Sequence, residues 1–271
     1  MERNSEERAQ TARLEESYSR LQSDLFLSIE RQVCGCDYGG SSWTTRNEAQ
    51  CMETKLGLKP GMHLLEVGAG SGWPGIYFAD RSGCDLAMID LPLAGLKIAA
   101  ERAERDRIAG TYSVACADAT NLPFGDASFD ALSHSDLLCC LKQKRAVLAS
   151  CNRVTSREGR MVFTVISIAA NISAEERIRA LAGAPEFTES EVDYLTLLDQ
   201  TGWTVLESLD LSSALADSCR RQAREDIEHK GELEALIGAS DYADRQKNWA
   251  SKLSALEDGL VRRELFVVTP A

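Results

Sequence analysis

The 271-residue chain contains no run approaching the roughly 18 consecutive uncharged apolar residues that a membrane-spanning helix needs, so no span is expected. Positive charge is scarce. Lys and Arg number 30 against 42 Asp and Glu, for a net charge of −12. Phosphate backbones are held by clustered cations, so this balance makes a poor sheath for nucleic acid, and no nucleic-acid partner is expected. There are only three histidines, and the nine cysteines (Cys34, Cys36, Cys51, Cys84, Cys116, Cys139, Cys140, Cys151 and Cys219) match no zinc spacing. No metal centre is therefore expected. The start of the chain, Met1 to Arg8, is too charged for a signal peptide. A cytosolic protein is expected, with most cysteines serving as small buried hydrophobes.

Apolar residues make up 44 % of the chain, enough for a substantial core. The length suits one large α/β domain or one domain with an appended cap. Apolar positions Leu14, Tyr18, Leu21, Leu25 and Ile29 recur at helical spacing, which predicts one amphipathic helix over 6–33. The glycine-rich stretch Cys34–Trp43 breaks it, and a second helix over Thr45–Leu56 leads to the turn Lys59-Pro60-Gly61. Short apolar runs then alternate with helical stretches. The runs are Met62–Val67, Asp85–Asp90, Tyr112–Cys116, Phe129–Ser133 and Arg160–Ile168; Leu93–Arg107 and Lys142–Val154 read as helices. Such alternation predicts βαβ units and a doubly wound, Rossmann-like, mostly parallel sheet. Thr188–Thr201 reads as a further helix and Trp203–Asp210 as a sixth strand. A charged helical insertion at about 213–258 precedes a seventh strand within Leu260–Thr269. The expected organisation is an N-terminal helical segment, 1–59, closing over a domain at 60–271. The insertion forms a second lid, and its exposed helices leave a homodimer surface open as well.

The most informative stretch is Leu64-Leu65-Glu66-Val67-Gly68-Ala69-Gly70-Ser71-Gly72-Trp73-Pro74-Gly75. A strand enters a glycine turn that opens a helix. A ligand can therefore approach the backbone at the carboxyl end of the sheet, where open α/β sheets bind their ligands. Two ligand classes compete. Gly70–Gly75 reads as GxGxxG with Asp90 twenty residues on, the pattern of a nicotinamide-dependent oxidoreductase. Against it, the glycines begin at Gly68, directly after the strand, and Glu66 would oppose a pyrophosphate.

A further acid, Asp118, follows the third strand in Ala117-Asp118-Ala119-Thr120-Asn121-Leu122-Pro123-Phe124. With Leu65–Gly72, Asp90, Ser128-Phe129-Asp130-Ala131 and Arg153-Val154 before Gly159-Arg160-Met161, it completes a set in which the chain resembles the class I S-adenosylmethionine-dependent methyltransferases. The resemblance runs from about residue 60 to 168. It implies that Gly68, Gly70 and Gly72 hold the methionine portion of S-adenosylmethionine; Glu66, two residues before that loop, is placed to bind a cation or to order the loop. Asp90 takes the ribose hydroxyls, with Leu91 against the adenine, and Asp118 with the Ala119 backbone meets the adenine amino group. Ser133, His134 and Ser135 line the pocket beside the methyl donor.

Methyl transfer is an in-line displacement, and a base is needed only when the nucleophile carries a proton. His134 is the only histidine at a pocket position and is the base candidate. The segment Ser133-His134-Ser135-Asp136 lacks the proline-rich pattern after strand four seen in nucleic-acid amino methyltransferases, which favours a small-molecule acceptor. Asp37–Thr44 and the run Tyr194-Leu195 to Gly202-Trp203 resemble sarcosine/dimethylglycine and quinone-type enzymes. That resemblance implies cofactor contacts from Tyr38, Trp43 and Thr44 and a carboxylate partner in Arg46. The alternative within the fold is an arsenite-type, thiolate-dependent methyltransferase, with Cys139 and Cys140 after strand four, Cys34 and Cys36 in the closing segment and Cys151 further on. Adjacent cysteines inside Leu137–Leu141 read more readily as buried packing, and a thiolate would need a depressed pKa.

Overall fold

The computed structural model describes residues 5–271. Met1 to Asn4, the beginning of the segment expected at 1–59, lie outside the described residues. Seven strands form one sheet in the order β3-β2-β1-β4-β5-β7-β6. They are β1 (His63–Val67), β2 (Asp85–Asp90), β3 (Tyr112–Cys116), β4 (Phe129–Ser135), β5 (Thr155–Ile168), β6 (Trp203–Asp210) and β7 (Val261–Pro270). β1 to β5 pair in parallel, and β7 runs antiparallel between β5 and β6. This is the expected doubly wound sheet. The chain reverses its direction of winding between β1 and β4, and so opens a crevice at their carboxyl ends.

Burial on both faces explains why the central strands are continuous apolar runs rather than alternating ones. Leu64, Leu65 and Val67 of β1 and Val162 and Phe163 of β5 are fully enclosed. Removing side chains of this size from water contributes roughly 1.5–3 kcal/mol each, which the ordering of the chain largely offsets. One face packs against α3 (Arg46–Leu56), α4 (Gly75–Ser82) and α5 (Leu93–Asp106). The other packs against α6 (Lys144–Val154), α7 (Ala174–Ala182) and α8 (Tyr194–Gln200). The insertion forms α9 (Ser212–Glu228), α10 (Lys230–Ile237) and α11 (Ala239–Glu257). Among the described residues no helix is long and apolar enough to cross a membrane.

Two expected helices differ. The single helix over 6–33 is divided into α1 (Ser5–Leu21) and α2 (Asp24–Cys34). Ser23 caps α2 by accepting from the Phe26 N–H, while the Gln22 amide donates to the Tyr38 carbonyl, so a local cap overrides continuous apolar spacing. The helix expected over Thr188–Thr201 shortens to α8. Asp193 accepts from the Thr196 N–H and starts it there, and residues 183–193 are turn and irregular chain. The Thr45 helix begins as expected, with Thr45 and Glu48 forming a reciprocal capping box.

Candidate active site

Between β1 and α4, Gly68, Gly70 and Gly72 hold φ of 71°, 52° and 98°, values that side-chain-bearing residues rarely adopt. Two fixtures clamp the loop to the end of β2. The N–H groups of Gly68 and Ala69 both donate to the Ile89 carbonyl, at 2.8 and 2.9 Å, and the Gly70 N–H donates to Asp90 Oδ2 at 2.8 Å. Asp90 Oδ1 accepts from the Leu91 N–H at 2.7 Å. Burial raises the Asp90 carboxyl to a pKa of about 6, against the lowering effect of those two backbone donors.

The loop is closely covered. A Cβ at Gly70 would stand 2.6 Å from the Tyr18 hydroxyl, and one at Gly68 would stand 2.7 Å from Leu137 Cδ1. Tyr18 comes from α1, which is fastened to the start of α5 where the Glu15 carboxylate accepts from the Ala94 N–H at 3.0 Å. Neither Tyr18 nor Leu137 was expected at the site. A phenol on the apolar stripe of a helix reads as core, and only its hydroxyl hinted at more.

Beneath the loop, Glu66 is fully enclosed. Its Oε2 accepts from the Ser133 hydroxyl, and the carboxyl packs under Gly75 at the start of α4. Burial raises its pKa to about 8, so it is largely protonated at neutral pH. Glu66 Oε1, Ser71 Oγ and Ser135 Oγ are buried without hydrogen-bond partners among the described residues. At the end of β3, Asp118 caps a 3₁₀ turn, where its Oδ1 accepts from the Thr120 N–H and hydroxyl. Its second oxygen is left as an acceptor, with Ala119 buried beside it.

These features fit S-adenosylmethionine. A Cβ at any of the three glycines would meet a neighbouring side chain, Asp90 retains lone-pair directions beyond its two backbone donors, and Ser71 Oγ, between Gly70 and Gly72, is buried without a partner among the described residues. The GxGxxG reading fares worse, because the left-handed glycine turn begins at Gly68 directly after β1 and ends at Gly72, while Gly75 already belongs to α4 and has no positive φ.

Several expectations are corrected. His134 is fully buried and stacks on Phe163 at a centroid distance of 4.5 Å; burial lowers its pKa to about 3. Neither ring nitrogen has a partner among the described residues. The imidazole points into the core between sheet and helices, so it is a packing residue rather than a base facing the pocket. Tyr38 is committed to packing, with the Arg102 guanidinium 3.7 Å over its ring and Trp73 beside it. Thr44 is fully buried and bonds to Trp73 and Arg263 instead of facing the cradle. Arg46 is exposed and donates to the Gly35 carbonyl, away from the pocket. The thiolate alternative finds no support: burial pushes Cys34 and Cys151 up to about 12, and the neighbouring Cys140, together with burial, raises Cys139.

A second constellation went unseen in the sequence. Arg263 on β7 is fully buried. Its Nε and Nη2 donate to the two oxygens of Asp136 at 3.0 and 3.1 Å, and its Nη1 donates to Glu48 Oε1 at 2.8 Å. Asp136 follows β4 directly, with φ of 53°, and also accepts from the Trp43 N–H at 3.3 Å. The knot thus ties β4, β7, α3 and the 38–44 segment together beside Leu137.

Residues 65–163 match the methyltransferase domain family. The chain is 30 % identical over 201 residues to a demethylmenaquinone methyltransferase of Paenarthrobacter aurescens (strain TC1), covering 66 % of this chain and 76 % of that protein. It is 25 % identical over 214 residues to a phosphoethanolamine N-methyltransferase of Triticum aestivum, covering 79 % of this chain but only 42 % of that longer protein. In fold it resembles a putative sarcosine dimethylglycine methyltransferase from Galdieria sulphuraria, with a TM-score of 0.75, 17 % identity and coverage of 82 % and 83 %. With a clamped glycine cradle and two strand-terminal carboxylates set around it, the chain belongs to the S-adenosylmethionine-dependent methyltransferase family.

Proposed function

We propose that the protein is a cytoplasmic enzyme that moves a methyl group from S-adenosylmethionine to a small-molecule acceptor, with no nucleic-acid substrate. The observation that carries this reading is the run of three positive-φ glycines tied to the β2 terminus through Asp90. Bound S-adenosylmethionine supplies an electrophilic methyl on its sulfonium.

The rest is the work of the chain. An ionised Asp90 accepts from ribose hydroxyls with the lone pairs that Gly70 and Leu91 leave over. Leu91 and Ala119 offer apolar contact to the adenine, and the free oxygen of Asp118 accepts from its amino group. Ser71 and Ser135, unpartnered in the fold, serve the polar methionine end. Glu66 orders the loop from below through Ser133 and Gly75. Tyr18 and Leu137 lie where they exclude water from the cradle, and in-line transfer in a water-poor cleft requires such cover. With His134 sealed in the core, the acceptor presents a lone pair that needs no protein base, as a neutral amine or an ionised oxygen or thiol does.

Calorimetry with S-adenosylhomocysteine tests the reading directly. Binding at a single site is expected, and the absence of binding to folded protein would overturn it.

A further inference from the structure

A cavity of about 300 Å³ is walled by α2, α9, α11 and the Gly39–Trp43 segment. The same segment borders the glycine cradle. A Cβ at Gly40 would stand 3.3 Å from Ser71 Oγ in the cradle, while Trp43 faces the cavity. An outer groove of about 500 Å³ shares the Phe26, Arg245, Trp249 and Lys252 wall.

The charges of this wall are unevenly used. Asp226 is fully buried and accepts from the Gln222 amide at 2.8 Å, the Trp249 indole at 2.6 Å and Arg245 Nη2 at 3.0 Å. Arg245 is thereby neutralised, and the Trp249 ring is held in place. Glu30, the acid lining the cavity, is spent on the Gly39 N–H at 2.6 Å and the Cys36 thiol. Asp241 and Asp244 stand on the rim of the outer groove, and Asp244 is paired with Lys247.

Lys252 differs. Its ammonium lies 5.1 Å from the centroid of Trp43 and 5.3 Å from that of Trp249, and among the described residues it forms neither an ion pair nor a hydrogen bond. Burial lowers its pKa, against the raising effect of Asp136 and the neighbouring thiols. Because the aromatic pair already holds this cation, a second one in the form of a quaternary or protonated amine is unwelcome there.

We propose that this cavity is the acceptor subsite of the enzyme, that it takes an acceptor bearing an anionic group, a carboxylate or a phosphate monoester, and that Lys252 is the residue that selects it. The inference rests on the methyltransferase reading above and adds the substrate class. The anion completes the ammonium's missing partner, while Trp43, Trp249 and Phe26 cover an apolar body.

The test uses the full chain saturated with S-adenosylhomocysteine and three probes of similar size: phenylacetate, phenyl phosphate and neutral phenylacetamide. Binding is followed by tryptophan fluorescence, since Trp43 and Trp249 flank the subsite, and by calorimetry. At least one anion is expected to bind about tenfold or more tighter than the amide. The preference should vanish in Lys252→Met and persist in Lys252→Arg, with S-adenosylhomocysteine affinity the same in all three proteins. Which anion leads distinguishes the carboxylate from the phosphate. Equal binding of anions and amide, no binding of either anion, or an anion preference retained in Lys252→Met would each overturn the proposal. So would loss of S-adenosylhomocysteine binding in folded Lys252→Met, which would place the lysine on the donor side. Failure of S-adenosylhomocysteine to bind the wild-type chain is a separate result and sinks the methyltransferase reading instead.

Discussion

The two ends of the crevice are built by opposite means. At the β1–β2 end, the cradle is held by backbone groups donating to near neighbours: Gly68 and Ala69 to Ile89, and Gly70 to Asp90, all within about one βαβ turn of sequence. At the β4–β7 end, a fully buried guanidinium gathers Asp136, Glu48, Thr44 and Thr164 from across more than two hundred residues of chain. The first arrangement contributes function at modest cost in stability, because its parts are backbone amides that need partners anyway. The second concentrates charge in a place without water, where each member depends on every other.

The largest effect is therefore expected at the second end. Arg263→Met leaves Asp136 and Glu48 buried without their cation and should cost about 3–5 kcal/mol of unfolding free energy, read from urea denaturation. A loss below about 1 kcal/mol would mean that the two carboxylates find other partners, and the contrast between the two ends would disappear. Gly70→Ala should reverse the pattern. The added Cβ meets the Tyr18 hydroxyl at 2.6 Å on a residue with φ of 52°, but the phenol is the movable end of a side chain. Stability should fall by only about 1 kcal/mol, whereas S-adenosylhomocysteine affinity should drop about a hundredfold, close to 3 kcal/mol.

Asp90 sharpens the comparison at the cradle itself. Asp90→Ala removes both the clamp on Gly70 and an ionised acceptor, and should weaken S-adenosylhomocysteine binding by about 1–3 kcal/mol. The wild-type pH dependence follows in sign. The carboxyl titrates near 6 in the free protein, and ribose hydroxyls prefer the ionised form. Affinity should be flat above about pH 7 and fall about tenfold per unit well below 6, a dependence that Asp90→Ala loses. For folding, the raised pKa works the other way: the group's contribution to stability is present below its unfolded value of 3.8 and is lost as pH rises through about 6.

The same contrast explains what could be read from the amino-acid order. The cradle was legible because strand, glycines and acid follow one another at fixed spacing, and the sheet because seven apolar runs alternate with helical ones. Arg263 was not. A basic residue in Glu264-Leu265-Phe266 country reads as the exposed start of a strand, and nothing local marks Asp136 or Glu48 as its partners. Tyr18 was hidden for a related reason, since its place on an apolar stripe suits both a core residue and a cover over Gly70. His134 shows the converse error. Sequence position put it at the end of a strand beside the pocket, but side chains alternate along β4, and its neighbour Ser133 took the face toward Glu66.

The smallest effect is expected at that histidine. Both imidazole nitrogens are buried without partners, so the ring contributes packing on Phe163 but bears an uncompensated polar cost. His134→Leu keeps the volume roughly constant and removes that cost, and at pH 7 stability should change by less than about 1 kcal/mol in either direction. Turnover with any acceptor should be unchanged, which a base could not allow. Acid reveals the difference. The native state holds the ring neutral down to about pH 3, whereas the unfolded chain takes up a proton near 6.5, so the wild-type protein loses stability as pH falls below 6.5. Between pH 7 and pH 5 that loss amounts to about 2 kcal/mol from this group, and His134→Leu should abolish it. A variant as acid-sensitive as wild type would show that the imidazole is not sealed as described, and one with turnover cut severalfold at unchanged stability would return it to the pocket.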